Sequence, residues 1–157
     1  MHCPEIQHNL SIHYRNQEVQ VGPCCQAPHY TVTDRIVDHP RLIEIRSLNQ
    51  RDQVTSDCDS CTKVEQSNGT SRRQNQLENY DQWNGKGIRG LDISIGNLCN
   101  LKCVICGPDS STSWHSDSEK LNIPIKEEWH YNKHDQFDLS WLATFNELEL
   151  VHFTGGE

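Results

Sequence analysis

The chain has 157 residues, room for one ordinary domain or two small ones and too short for a large multidomain protein. Hydrophobic residues make up 34% and mean hydropathy is -0.77, so apolar burial alone gives a thin core and something further must hold the chain. The formal charge of -8, from 14 basic and 22 acidic side chains, offers no broad positive field for phosphate backbones and argues against generic nucleic-acid binding.

No run approaches the roughly 20 consecutive apolar residues of a membrane helix, and Met1 to Leu10 lacks the basic start and apolar stretch of a secretory signal. The reading is a cytoplasmic chain with no membrane partner. In a reducing compartment 8 cysteines point to metal ligation or redox chemistry ahead of structural disulfides.

Asn9 to Tyr14 and Glu18 to Val21 alternate apolar and polar residues around Arg15-Asn16-Gln17, which predicts a hairpin with one buried face. Its return strand delivers Gly22-Pro23-Cys24-Cys25. Asp38 as N-cap, Pro40 near the start and Leu42, Ile43, Ile45 and Leu48 predict a short amphipathic helix. Cys58-Asp-Ser-Cys61 follows it. Residues 67–90 are polar, carry four glycines and show little periodicity, as expected of a linker. Leu91 to Ile95 alternates as a strand and is stopped by Gly96-Asn97. A cysteine loop comes next, then helical candidates at Ser110 to Lys120 and Leu139 to Asn146 with a histidine-bearing loop between them. Leu148, Leu150, Val151 and Phe153 predict a last strand, ending in Thr154-Gly155-Gly156-Glu157. Strand, helical crossover and strand make a parallel α/β unit.

Cys99, Cys103 and Cys106 have the spacing C-x3-C-x2-C. Zinc usually takes four ligands in a closed tetrahedron, and its common signatures pair one C-x2-C hook with a second hook or with histidines. A cubane iron-sulfur cluster also has four corners, so a loop supplying three thiolates leaves one iron open for a substrate or cofactor. In the first segment Cys58-x2-Cys61 is a two-ligand hook that Cys3 with Cys24 or Cys25 would complete to four thiolates. Spacing alone does not separate zinc from iron-sulfur there.

The run from Asn97 through Cys99, Cys103 and Cys106 to Trp114 resembles the radical S-adenosylmethionine (SAM) enzymes, and within them the subset carrying twitch-type or SPASM-type auxiliary cysteine domains. Gly155-Gly156-Glu157 resembles the family's Gly-Gly-Glu landmark at the end of the second strand. Ile105 stands where the family often has an aromatic residue. The order Cys3-Pro4, Gly22-Pro23-Cys24-Cys25, Cys58-x2-Cys61-x3-Glu65 and Ser71-Arg72 is similar to the auxiliary-cluster region ahead of the core in some twitch-type members. After Cys3-Pro4 those members commonly have a second proline and a tryptophan, where this chain has Glu5-Ile6-Gln7.

The resemblance implies the start of a partial (β/α)6 barrel preceded by a small cysteine-rich α+β domain: residues 1–66 auxiliary, 67–90 linker, and 91–157 the first part of the core, stopping after its second strand. It implies a radical SAM enzyme whose [4Fe-4S] cluster is held by Cys99, Cys103 and Cys106, with SAM contacted by Gly155, Gly156 and Glu157. Reductive SAM cleavage would give a 5′-deoxyadenosyl radical for hydrogen abstraction from a peptide or protein substrate. Cys3, Cys24, Cys25, Cys58 and Cys61 would supply an auxiliary iron-sulfur or zinc site, and a flavodoxin- or ferredoxin-like protein the electron. No catalytic residue is assigned beyond the cluster ligands, and a chain stopping at the second strand is expected to turn over little. The competing expectation is a zinc-binding interaction module without redox chemistry.

Overall fold

A computed structural model describes residues 2–15, 18–32, 35–80, 87–129 and 140–154. Pro4 opens a short helix, α1 (Pro4–His8), where its fixed φ suits the first helical position. The chain then extends into β1 (Asn9–Arg15), which pairs antiparallel with β2 (Glu18–Gly22), and β2 pairs antiparallel with β3 (Tyr30–Val32). On its other side β1 pairs in parallel with β4 (Gly90–Ser94), and β4 in parallel with β5 (Leu150–Thr154). The sheet is open and mixed, in the order β3-β2-β1-β4-β5.

Alternation decides which face is buried. Leu10, Ile12 and Tyr14 of β1, Val21 of β2, and Leu91 and Ile93 of β4 are all buried. Leu10 lies opposite Leu91 and Ile12 opposite Ile93, so the core straddles the parallel seam. A buried Leu or Ile contributes about 1.5–3 kcal/mol, and these side chains are the main apolar stabilisation of the sheet. The opposite face is polar: Ser11 is fully buried there beneath His29, whose Nε2 lies 2.9 Å from its hydroxyl. Gly22, opposite Ser11, permits that overlay, since a Cβ there would meet the Pro28 carbonyl at 3.0 Å and the His29 ring at 3.2 Å.

Helix α2 (Pro40–Gln50) covers the apolar face. Leu42 joins the sheet core, while Ile45 joins a second cluster with Cys3 and Ile6. Its cap is His39, whose Nδ1 accepts from the Arg41 N–H, in place of the expected Asp38. Ile43, counted with the apolar stripe, is 54% exposed. Helix α3 (Asp59–Gln66) begins immediately after Cys58, and α4 (Arg72–Tyr80) occupies the segment read as a linker.

That segment folds through charge. Arg72 grips the buried Glu5 carboxylate in a fork, with its Nε 2.8 and 3.0 Å from the two oxygens and Nη2 at 2.6 Å. Arg73 pairs with Glu65 at 2.6 Å, and the Ser71 hydroxyl donates to the same carboxylate. Stranding a buried carboxylate such as Glu5 by removing its guanidinium costs about 3–5 kcal/mol. The two cysteine segments also share one sheet, because β1 and β4 are neighbours. Among the described residues no helix is long and apolar enough to cross a membrane.

Arg73 and Ser71 hold the Glu65 carboxyl below its ordinary value of 4.5. A depressed carboxyl stabilises the fold fully above its unfolded pKa and loses that contribution as pH falls through the folded one. Glu65→Gln is therefore expected to be less stable at neutral pH and to show a flatter loss of stability below about pH 4.5. Urea unfolding at a series of pH values checks this, and parallel acid limbs for the two proteins would contradict it.

Candidate metal centres

The C-x3-C-x2-C loop leaves the C-terminal end of β4. Gly96 turns the chain with φ 138°, in the region open to glycine. Beyond it regular structure gives way to a lattice of serine and threonine bonds. The Ser113 hydroxyl donates to the Cys99 carbonyl at 2.6 Å, the Ser111 hydroxyl to the Leu101 carbonyl at 2.7 Å, and Thr112 Oγ1 accepts from the Cys99 N–H at 3.4 Å. Lys102 pairs with Asp117 at 2.6 Å, pinning the loop to helix α5 (His115–Lys120). The segment predicted as one helix over Ser110 to Lys120 is thus helical only from Thr112, where a 3-10 turn precedes α5. Its serines have hydroxyls to spare for the loop, the usual reason that serine favours caps and turns over helix interiors.

Cys103 is exposed, and Cys99 and Cys106 are partly buried. The Cys106 N–H donates to the Cys103 carbonyl at 2.9 Å. The Cys106 thiol is pushed above its usual range by desolvation first and then by the neighbouring Cys103 and Cys99 thiols. Thiols gathered in one loop are a donor set for a cation, whose binding would release their protons. Near them Asn97 Oδ1 and Trp114 Nε1 are buried with no hydrogen-bond partner among the described residues. Val104 and Ile105, between the second and third cysteines, are 97% and 96% exposed.

The second candidate is a small cleft walled by Cys3, Cys24, Cys58 and Cys61 together with Glu5 and Arg73. The four thiols come from three local devices. Cys3 precedes α1, and Cys24 follows β2 in a turn closed by the Ala27 N–H on the Cys24 carbonyl at 3.3 Å. Cys58 is the N-cap residue of α3 and Cys61 lies in its first turn, and both line the cleft. Gln26 ties the turn to α3, accepting from the Ser60 hydroxyl at 3.4 Å and from the Cys61 thiol at 3.6 Å. Burial pushes the Cys3 thiol up to about 11 and the Cys24 thiol up to about 12, and it raises Cys58 as well. Such thiols are protonated at neutral pH, so a metal entering here displaces protons.

Cys25 takes no part in the cleft wall and is exposed. Of the adjacent pair, Cys24 is the one placed with Cys3, Cys58 and Cys61. Among the described residues no three His, Cys, Asp or Glu side chains lie close enough to grip a metal ion, so ligation at either centre requires thiols to turn toward a common point. The donor chemistry fits a thiolate-bound metal or cluster in both places. Gly155, Gly156 and Glu157 lie outside the described residues and follow β5 directly in the chain.

Sequence reasoning missed Ser111, Ser113 and Asn49, which hold cysteine backbones by side-chain hydrogen bonds. A serine-rich stretch beside a cysteine loop was the available signal for the first two. No protein-family model matches the chain, and no curated protein and no solved structure matches it either.

In metal-free protein, iodoacetamide at about pH 8 is expected to modify the exposed Cys25 and Cys103 before the desolvated Cys3 and Cys24. Peptide mapping over time reads the order. Equal rates for Cys24 and Cys25 would contradict the placement of only one of them in the cleft.

Proposed function

We propose that this chain carries the cluster loop of a radical SAM enzyme, preceded by a four-thiol auxiliary site. One observation supports the reading above the others. The loop of Cys99, Cys103 and Cys106 leaves β4 at the end where β5, its parallel neighbour, also finishes, with Ser94 opposite Thr154. Gly155-Gly156-Glu157 are the next residues of β5's chain. Open α/β sheets bind their ligands beyond the carboxyl ends of adjacent parallel strands; in this chain the three cysteines follow one such strand in sequence, and two glycines and a glutamate follow the other.

In this reading the three thiolates hold three corners of a [4Fe-4S] cluster, with Ser111 and Ser113 fixing the backbone around the first of them. Gly155 and Gly156 let the main chain approach the methionine end of SAM, and Glu157 accepts from its ammonium. When bound, the cluster and SAM would supply one-electron reductive cleavage of SAM for hydrogen abstraction from substrate, and the residues named above would hold and orient them. A flavodoxin- or ferredoxin-like protein delivers the electron. The substrate class is a peptide or protein, and the auxiliary site uses Cys3, Cys24, Cys58 and Cys61.

A second reading rests on the cleft alone. Four thiols on short, well-tied elements are also the donor set of a closed structural zinc site, which would make the chain a zinc-binding interaction module without redox chemistry.

Iron, acid-labile sulfide and zinc per chain, after anaerobic reconstitution, separate the two. The triple variant Cys99→Ala/Cys103→Ala/Cys106→Ala is expected to lose one cluster's worth of iron and sulfide and to keep the metal of the cleft. If the wild type holds only zinc and the variant holds as much, the radical SAM reading is wrong and the zinc module stands.

A further inference from the structure

We propose that Asn49 is a positioning residue for the thiol cleft, fixing Cys3 as its fourth ligand; this rests on the reading that the cleft binds metal. The buried stripe of α2 runs Leu42, Ile45 and then position 49, spaced three and four residues apart as one helix face requires. The first two are apolar and fully buried, and the third, an asparagine, is only 2% exposed. An apolar side chain would extend the stripe, so a primary amide in its place needs a reason.

The reason is on the opposite strand of chain. Asn49 Oδ1 accepts from the Cys3 N–H at 2.8 Å, and Asn49 Nδ2 donates to the Cys3 carbonyl at 2.9 Å. One planar amide therefore takes both backbone polar groups of a residue 46 positions away. The N–H belongs to the peptide before Cys3 and the carbonyl to the peptide after it, so holding both fixes the backbone on each side of Cα and with it the direction of Cβ. Only the side-chain torsion of the thiol is left free. Asp offers no donor and Leu offers neither group, so the two-point clamp is specific to the amide.

Neighbouring contacts work in the same direction. Ile6 and Ile45 pack beside Cys3, and Arg73, itself in the cleft wall, donates to the His2 carbonyl at 3.3 Å. Helix α2 then leads, within eight residues of its end at Gln50, to Cys58. Asn49 thereby ties the first thiol to the segment that carries the last two. Groups that orient metal ligands typically change affinity about 10–100-fold when removed.

The probe is cobalt(II), whose thiolate charge-transfer absorption grows with each coordinated sulfur, added to metal-free protein in the Cys99→Ala/Cys103→Ala/Cys106→Ala background so that the cleft alone reports. Asn49→Leu keeps the helix stripe apolar and removes only the clamp, with circular dichroism confirming the fold. It is expected to weaken cobalt binding about 10–100-fold and to lower the absorption by the share that Cys3→Ala removes. In a Cys3→Ala background it is expected to change neither. Full absorption and affinity in Asn49→Leu, or an equal further loss on top of Cys3→Ala, would overturn the proposal by making Asn49 a packing residue. If the parent protein and both variants alike bind no cobalt, the metal reading of the cleft fails and the positioning role falls with it, an outcome distinct from the other two.

Discussion

The parallel pairing of β1 with β4 is the contact on which the rest depends. It sets Leu10 against Leu91 and Ile12 against Ile93, and it is the point where two stretches of chain about 80 residues apart become one sheet. The direction of pairing matters as much as its existence. Because β4 runs with β1, the chain leaves β4 on the side opposite to α1 and Cys3, and the two thiol sets fall at opposite ends of the same pair of strands. Cys24 joins the Cys3 end because β2 runs antiparallel to β1 and returns to it. A core of this size is small for the length of chain, and the sheet alone does not account for how the cysteines are held.

What holds them is a set of polar ties at specific points. Around the cleft these are Glu5 with Arg72, Glu65 with Arg73 and Ser71, Asp57 with Tyr30 and Arg41, and Asn49 with Cys3. Around the loop they are Ser111, Ser113 and the Lys102–Asp117 pair. Buried ion pairs and satisfied amides are costly to break and geometrically exacting, which suits sites where a thiol must stay within reach of its partners. Metal ligation would add folding free energy in the same places. The burial that raises the Cys3 and Cys24 thiols works against a stable metal-free thiolate site, so metal and fold are expected to reinforce each other.

Much of this was legible in the sequence. The hairpin followed from strict alternation, β4 from Leu91, Ile93 and the Gly96 stop, and the parallel β4–β5 unit from the length of the crossover. The cysteine loop was readable from spacing alone. Other features were not, for physical reasons. Helix α4 has no apolar stripe to betray it, since Arg72 and Arg73 dock through carboxylates that lie 67 and 8 residues away. Ile43, read as part of the apolar stripe, faces solvent, while Asn49, which the stripe left out, is buried against Cys3, because position on the helix decides burial and residue type alone does not. The choice between Cys24 and Cys25 depended on the turn closed by Ala27, which adjacent identical residues cannot reveal in a sequence. Gly155 to Glu157, which the resemblance assigns to SAM, lie outside the described residues.

In the proposed function the loop at the end of β4 holds a cluster with one position open to SAM. Electron paramagnetic resonance of the reduced, iron- and sulfide-reconstituted protein, recorded with and without SAM, tests it most directly. A cluster signal is expected that changes when SAM is added and that is lost in the Cys99→Ala/Cys103→Ala/Cys106→Ala variant. If no part of the spectrum responds to SAM, or the whole spectrum is the same in the triple variant, the loop holds no such cluster.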